Sequence, residues 1–356
     1  MAIELENLTK LFTDEDGNKV EAVKDLDLSI KEEEFFTLLG PSGCGKTTIL
    51  RMIAGFESPT QGRILLDGED ITDVSANNRD VGIVFQNYAL FPHMSVFENI
   101  AYGLRVENYS EDAIEDRVEE MLKVIRMEGY GDRKPSALSG GQQQRIAVAR
   151  SLAPSPDVLL LDEPLSNLDA KLREETREEL ISLHRRLGLT IVYVTHDQDE
   201  ALAISDRILV LNQGVKQEVG TPYELYEEPQ TTFVADFLGN TNLLKGDVTG
   251  AGRFKTEAGL EINFNENGRD KSSGNLAIKP EKVLINPEKN IENVFPGEVI
   301  VGQYLGDRIN FRLKLEGGEE LKSHLEPTDE LVDLTRGDKI EIGLPADELR
   351  LLAGDR

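Results

Sequence analysis

Two stretches carry residue types that could do phosphate chemistry. "GPSGCGKTT" (40–48) fits G-x-x-x-x-G-K-[ST], in which glycines let backbone N–H groups approach an anion at a helix N-terminus. There Lys46 would reach the β- and γ-phosphates and the Thr47 hydroxyl would ligate Mg²⁺. "VLLLDEP" (158–164) ends an apolar run on two acids. Asp162 can hold Mg²⁺ directly or through water, and Glu163 can polarise an attacking water as general base. Two acids at a strand end also arise in any acidic chain, but beside a phosphate loop they complete a metal–nucleotide site. His196, in "YVTHDQ", follows another strand-like run and is one of only four histidines; that is the edge where a doubly wound sheet places its ligands. These parts imply ATP hydrolysis with ATP and Mg²⁺. Nothing beside Cys44 marks it for covalent work, so it reads as a small residue tolerated within the loop.

A third stretch, "ALSGGQQQR" (137–145), puts Ser139 and two glycines at the start of a run of polar helix formers. Such a start also brings backbone N–H groups close to an anion. Ser139 and Gln142 fit the S-x-x-Q capping box, a purely structural reason for the pattern. Gly140 and Gly141 in a first turn each cost about 1 kcal/mol against alanine, which capping alone does not require. The stretch therefore reads as a second cradle, for a phosphate already held elsewhere.

These residues need a scaffold, and the chain supplies an α/β pattern from its start to about Leu238. Strands are predicted at "FFTLL" (35–39), "VGIVF" (81–85), "VLLL" (158–161), "TIVYVT" (190–195) and "RILVL" (207–211). All are short, apolar and rich in branched residues, as buried parallel strands should be. Between Gln86 and Gln144 the pattern turns helical. Ile114, Val118, Met121 and Ile125 fall on one face, which predicts core packing of a helical insertion. After "FLGNTN" (237–242) helical periodicity gives way to glycine-punctuated β segments, which places a domain boundary near Gly239. "INFRLKL" (309–315) alternates apolar and polar residues, a half-buried strand. "KGDVTG" (245–250) and "PGEVIVG" (296–302) share a Gly-acid-Val pattern that hints at a duplicated β unit.

The bulk composition bounds the possibilities. A chain of 356 residues with 39% hydrophobic and 29% charged residues fits a soluble protein of two or three domains. No stretch approaches the ~20 apolar residues that span a bilayer, and "MAIELENLTK" lacks a basic-then-apolar leader. A cytosolic location is expected unless a partner holds the chain at a membrane. The single cysteine excludes an internal disulfide and fits a reducing compartment. A net charge of −27, from 66 acidic and 39 basic side chains, opposes sequence-independent nucleic-acid binding. The same excess predicts a host with a salty cytosol, where ions screen self-repulsion, with an ordinary acidic protein as the alternative.

With the phosphate loop, "VFQNYALFPHMSVFENI", "LSGGQQQR", "LLLDEPLSNLD" and "VTHDQDEA" in order, the chain resembles the ATP-binding-cassette (ABC) ATPases. The resemblance implies an α/β phosphate-loop NTPase (RecA-like) core over 1–239, with a helical subdomain at about 87–145. It gives Phe12 a place on adenine, where core packing is the alternative. Gly40, Pro41, Ser42, Gly43, Cys44, Gly45, Lys46, Thr47 and Thr48 become the ATP-binding loop. Thr47, Gln86 and Asp162 become the Mg²⁺ site. Glu163 is the implied base, with Gln86 touching metal and water and His196 sensing the γ-phosphate. Ser139, Gly140, Gly141 and Gln142 are the signature, and Asp169 lies in a dimer-contacting loop. Two such chains, as a homodimer or a paired ABC ATPase, are expected head to tail, each ATP closed between one phosphate loop and the other chain's signature.

Residues 240–356 resemble the small all-β, OB-like (TOBE/MOP-like) regulatory extension of binding-protein-dependent importers. "LAIKPEKVLI" (276–285) matches its R-P-E segment with Lys279 in place of arginine, and "GEVIVGQYLGDRINF" a later stretch. This implies a peripheral subunit on the cytoplasmic side of the cell membrane. Its partners would be membrane-spanning permease subunits and, indirectly, an external solute-binding protein. Exposed-looking "ALFPHM" (89–94) is the expected contact, unless it packs inside the insertion. Local likenesses point to polyamine, ferric-iron, sugar or oxyanion (sulfate-type) import. The alternatives are a soluble DNA-repair or translation ABC ATPase, which would carry a coiled-coil insertion or a second cassette, and an exporter motor, which gives no reason for the β extension.

Overall fold

The computed structural model describes residues 2–13, 17–265, 273–287 and 291–352, Ser273 by its backbone alone. It comprises two compact units, Met1–Pro222 and Tyr223–Arg356.

The first unit opens with β1 (Ile3–Thr13) and β2 (Lys19–Ile30), then β3 (Phe35–Leu39), α1 (Lys46–Ala54), β4 (Gln61–Leu66) and β5 (Glu69–Asp70). Next come β6 (Val81–Val84), α2 (Val96–Val106), α3 (Glu111–Val124), α4 (Gly140–Leu152) and β7 (Val158–Asp162). It closes with α5 (Ala170–Leu187), β8 (Thr190–Thr195), α6 (Gln198–Ile204), β9 (Arg207–Asn212) and β10 (Val215–Gly220). β6, β7, β8, β3 and β9 form a parallel sheet, with β10 antiparallel at its edge. Every residue of β3, β7 and β8 is buried, because helices or a second sheet cover both faces of a parallel sheet. The second sheet has the order β2-β1-β4-β5 and is antiparallel.

Register decides what the sheet presents at its C-terminal edge. Leu39 pairs with Thr195 across β3 and β8, and Asp162 with Val194 across β7 and β8. The phosphate loop, the paired acids and His196 therefore leave the sheet side by side, where open α/β sheets place ligands. The helical insertion is α2, α3 and the start of α4. Ile114, Val118, Met121 and Ile125 are all buried in one core with Ile100, Leu104 and Ile146, as their spacing predicts.

The second unit begins with the helices α7 (Pro222–Glu227) and α8 (Thr232–Gly239), ahead of the composition change at Gly239. Ala235 of α8 is buried against Ala277 and Leu352, which explains why this helix belongs with the β structure. Then follow β11 (Asn242–Gly250), β12 (Arg253–Thr256), β13 (Glu261–Asn263), β14 (Ser273–Ile278) and β15 (Leu284–Ile285). β16 (Val294–Tyr304), β17 (Ile309–Leu315), β18 (Glu320–Leu325), α9 (Asp329–Val332), β19 (Lys339–Gly343) and β20 (Arg350–Leu352) complete it. Ile309, Phe311, Leu313 and Leu315 of β17 are buried, the predicted alternation.

The two five-stranded sheets run β13-β12-β11-β14-β20 and β18-β17-β16-β19-β15. Their orders match strand for strand, so the Gly-acid-Val pattern marks a structural repeat. Gly246 and Gly297 occupy equivalent points on the central strands. A Cβ at Gly246 would lie 2.1 Å from the Lys255 carbonyl oxygen, and one at Gly297 2.7 Å from that of Lys314. The fifth strands are exchanged: β15, which follows the first four, pairs in the second sheet, and β20 pairs in the first.

Candidate active site

The loop 40–45 is shaped by close approach as much as by flexibility. A Cβ on Gly40 would meet the Leu211 carbonyl oxygen at 2.3 Å, and one on Gly45 that of Ala22 at 2.2 Å. Gly45 caps α1 with φ 104°, a conformation open to glycine and costly to other residues. Lys46 is buried at the loop's centre, where its Nζ donates to the carbonyls of Gly40 (2.7 Å) and Pro41 (3.0 Å). Cys44 is buried, and desolvation pushes its thiol above the usual range, the opposite of an activated nucleophile.

At the second residue of α1, the Thr47 hydroxyl donates to Asp162 Oδ1 at 3.1 Å. Burial pushes the Asp162 carboxyl above its ordinary pKa, and the Thr47 bond pulls the other way. A buried carboxylate beside a hydroxyl is a hard-oxygen pair that fits Mg²⁺. Among the described residues no group of three His, Cys, Asp or Glu side chains could hold a metal by itself.

Glu163 follows immediately and turns away from the strand. Its N–H donates to Val194 O at 3.0 Å, extending the β7–β8 ladder, while its φ of 44° lies in the left-handed region. A non-glycine residue pays for that conformation, and such strain concentrates at functional sites. The turn aims the carboxylate at two partners. Gln86 Nε2 donates to Oε2 at 3.2 Å, and His196 Nδ1 stands 3.2 Å from Oε1. Gln86 also reaches Ser166 Oγ at 3.2 Å, while Asn167 Nδ2 donates to the Gln86 carbonyl at 2.9 Å. The structure thus pairs Thr47 with Asp162, and groups Gln86 with Glu163 and His196. Ser166 and Asn167 were not singled out from sequence, although both sit in "LSNLD".

Ser139 forms the capping box in full: its Oγ accepts from Gln142 N at 3.4 Å, and Gln142 Oε1 accepts from Ser139 N at 3.0 Å. The glycines that sequence reasoning charged to anion binding have a packing reason as well. A Cβ on Gly140 would come within 3.1 Å of Leu168, and one on Gly141 within 2.9 Å of Leu172. Asp169, expected in a dimer-contacting loop, caps α5 by accepting from Leu172 N at 3.0 Å. Among the described residues no hydrogen bond or ion pair links Ser139–Gln142 to the phosphate loop. Phe12 ends β1 at 38% exposure with Lys10 Nζ 4.9 Å from its ring centroid, so it is not core. In "ALFPHM", Ala89, Pro92 and His93 are exposed while Leu90, Phe91 and Met94 are half-buried. Arg150 donates to the carbonyls of Tyr88 and Ala89 and fixes the segment from beneath.

Comparison with known proteins agrees with this geometry. Residues 23–166 match the ABC transporter family model and residues 276–352 the TOBE domain. The chain is 46% identical to the spermidine/putrescine import ATP-binding protein PotA of Trichormus variabilis, covering 89% of this chain and 84% of that one. It is 44% identical to the protein of the same name from Thermotoga maritima, over 93% and 91%. It is 47% identical to the Fe(3+) ions import ATP-binding protein FbpC of Brucella abortus, over 89% of each. A solved dimeric ATP-binding cassette bound to ADP and Pi covers 62% of this chain and 98% of its own at 34% identity, with a TM-score of 0.55. With a phosphate loop, paired acids and a capped glycine-rich helix on a phosphate-loop NTPase sheet, followed by an all-β TOBE unit, the chain belongs to the ABC transporter ATPases.

Proposed function

We propose that the chain is the ATP-hydrolysing motor of an importer, working as a head-to-tail pair beneath membrane-spanning permease subunits. The observation that carries this is the convergence of Gln86 and His196 on Glu163, beside a Thr47–Asp162 pair and a lysine-centred phosphate loop. Lys46 and the loop N–H groups bind the β- and γ-phosphates. Glu163 Oε accepts the proton of the attacking water, which Gln86 orients, and His196 holds the carboxylate and the γ-phosphate in line. Thr47, Asp162 and Gln86 would hold Mg²⁺, which when bound would neutralise phosphate charge. Phe12 offers an exposed ring for adenine stacking.

The signature Ser139–Gln142 serves the partner's ATP in this scheme. Its cap is complete with Ser139 exposed, no hydrogen bond or ion pair among the described residues ties it to its own phosphate loop, and a related cassette was solved as a dimer. The unit Met1–Pro222 would be the nucleotide-binding domain, and the unit Tyr223–Arg356, with α8 packed on its β structure, the regulatory domain. Permease subunits would contact the exposed Ala89, Pro92 and His93, placing the chain on the cytoplasmic face of the membrane. Relatives of similar identity are named for polyamine and for ferric-iron import, and we assign polyamine as the cargo class. Deleting the gene should abolish uptake of labelled spermidine or putrescine while ferric-iron uptake persists. The reverse result would reassign the cargo. Co-purification with ribosomes instead of integral membrane proteins would overturn the importer reading.

A further inference from the structure

His196 is flanked by Thr195 and Asp197, both hydrogen-bonded to the buried Glu200, one through its carboxylate and the other through its backbone N–H. Glu200, on α6, is 5% exposed. Its Oε2 accepts from Tyr193 OH at 2.9 Å and from Thr195 Oγ1 at 2.8 Å. Its backbone N–H donates to Asp197 Oδ1 at 3.1 Å, and Asp197 N donates to Thr195 Oγ1 at 3.0 Å. The peptide that carries His196 is therefore clamped on both sides by Glu200.

Arg173, in the first turn of α5, faces the same carboxylate. Its Nε lies 3.6 Å from Glu200 Oε1 and its Nη1 3.9 Å from Asp197 Oδ2, both beyond hydrogen-bond length. Nε is buried and has no hydrogen-bond partner. Among the described residues, the one hydrogen bond of the guanidinium is Nη2 to the Leu168 carbonyl, at 3.1 Å. Leu168 in turn packs against Gly140 of the glycine-rich helix start. An orphan buried donor 3.6 Å from the Glu200 carboxylate is costly, and a small advance of α5 would satisfy it.

We propose that Arg173 is a positioning residue that holds the segment 165–169 in register with His196 through Glu200 and Asp197. The inference rests on the ATPase function proposed above. Displacement of segment 165–169 by a partner chain changes the reach of Arg173, and the Glu200 clamp passes that change to His196. The guanidinium faces three acceptors, the Leu168 carbonyl and the two carboxylates, with a rigid planar fork that a lysine ammonium lacks.

The test measures steady-state MgATP hydrolysis and nucleotide binding of the full chain for Arg173→Met, Arg173→Lys, Glu200→Gln and the Arg173→Met/Glu200→Gln double variant. Arg173→Met should lower kcat about tenfold with the KM for ATP changed less than about twofold, since positioning acts on the reacting geometry. Arg173→Lys should recover part of kcat. The double variant should lose no more than the worse single one, the mark of residues acting as a unit. Wild-type kcat in Arg173→Met, additive losses, or a loss that follows the folded fraction with no recovery by lysine would each overturn the proposal. Should Arg173→Met fail to fold, the lysine and Glu200→Gln variants carry the same kcat-against-KM comparison. An inert wild-type chain would instead overturn the ATPase function itself.

Discussion

Glu163 Oε1 stands 3.2 Å from His196 Nδ1, across two neighbouring strand ends, and the left-handed turn at Glu163 is what makes the contact. The acid is held between a histidine and a glutamine rather than buried like the neighbouring Asp162 carboxylate. Its geometry suits accepting a proton from water in front of a γ-phosphate.

Glu163→Gln keeps the shape and the Gln86 contact but removes the base. Hydrolysis should fall by at least about a hundredfold, at the lower end of general-base contributions, while ATP binding persists and a nucleotide-bound dimer accumulates. Size-exclusion chromatography with ATP and a phosphate-release assay measure both. Rapid turnover in this variant would assign the base elsewhere.

Ser139 has two roles that a single substitution can separate. Aspartate caps a helix as well as serine, so Ser139→Asp should leave the melting temperature unchanged. Its charge would face the partner's phosphate, and hydrolysis should be lost with nucleotide binding by the isolated chain intact. Ser139→Ala should lower stability by about 1 kcal/mol through the lost cap. Full hydrolysis in the aspartate variant would show that 139–142 is only a helix start.

Asp162 supplies a pH test. Its folded pKa is raised by burial, so the ionised carboxylate destabilises the ligand-free fold, and that cost disappears as pH falls through the raised pKa. Asp162→Asn should therefore melt at a higher temperature than wild type at neutral pH. The two should converge once the pH falls below the ordinary aspartate value. Mg²⁺-dependent nucleotide binding should weaken in the same variant, a trade of function against stability. A lower melting temperature for Asp162→Asn at neutral pH would contradict the sign.

The charge of −27 predicts a salt response. At 1 M salt the screening length shrinks to ~3 Å, and self-repulsion among surface acids is largely removed. The melting temperature should climb as KCl rises from dilute to molar concentrations. Equal melting temperatures across that range would separate the acidic composition from any salty-host explanation.

Much of this was legible in the chain because it is local. β3, β7 and β8 are short apolar runs, and burial on both faces is what such runs require. The phosphate loop, Asp162, Glu163 and His196 announce themselves by residue type at the ends of those runs. What lay beyond reach depends on contacts between distant segments. Gly140 and Gly141 look functional until Leu168 and Leu172 are found against them. Arg173 and Glu200 look like two surface charges of an acidic protein until the helices they lie on are placed together. The 87–145 insertion was visible as periodic helix, but the pinning of Tyr88 and Ala89 by Arg150 was not.

The exchanged fifth strands of the β unit set the order in which it can be completed. Asn275 of β14 must pair with Leu352 of β20, so the first sheet keeps an open edge until residues 350–352 have left the ribosome. The second sheet is the reverse case, since β15 is already made when β19 arrives to meet it. Clipping residues 350–352 would strip one edge strand from the first sheet and leave every pairing of the second intact.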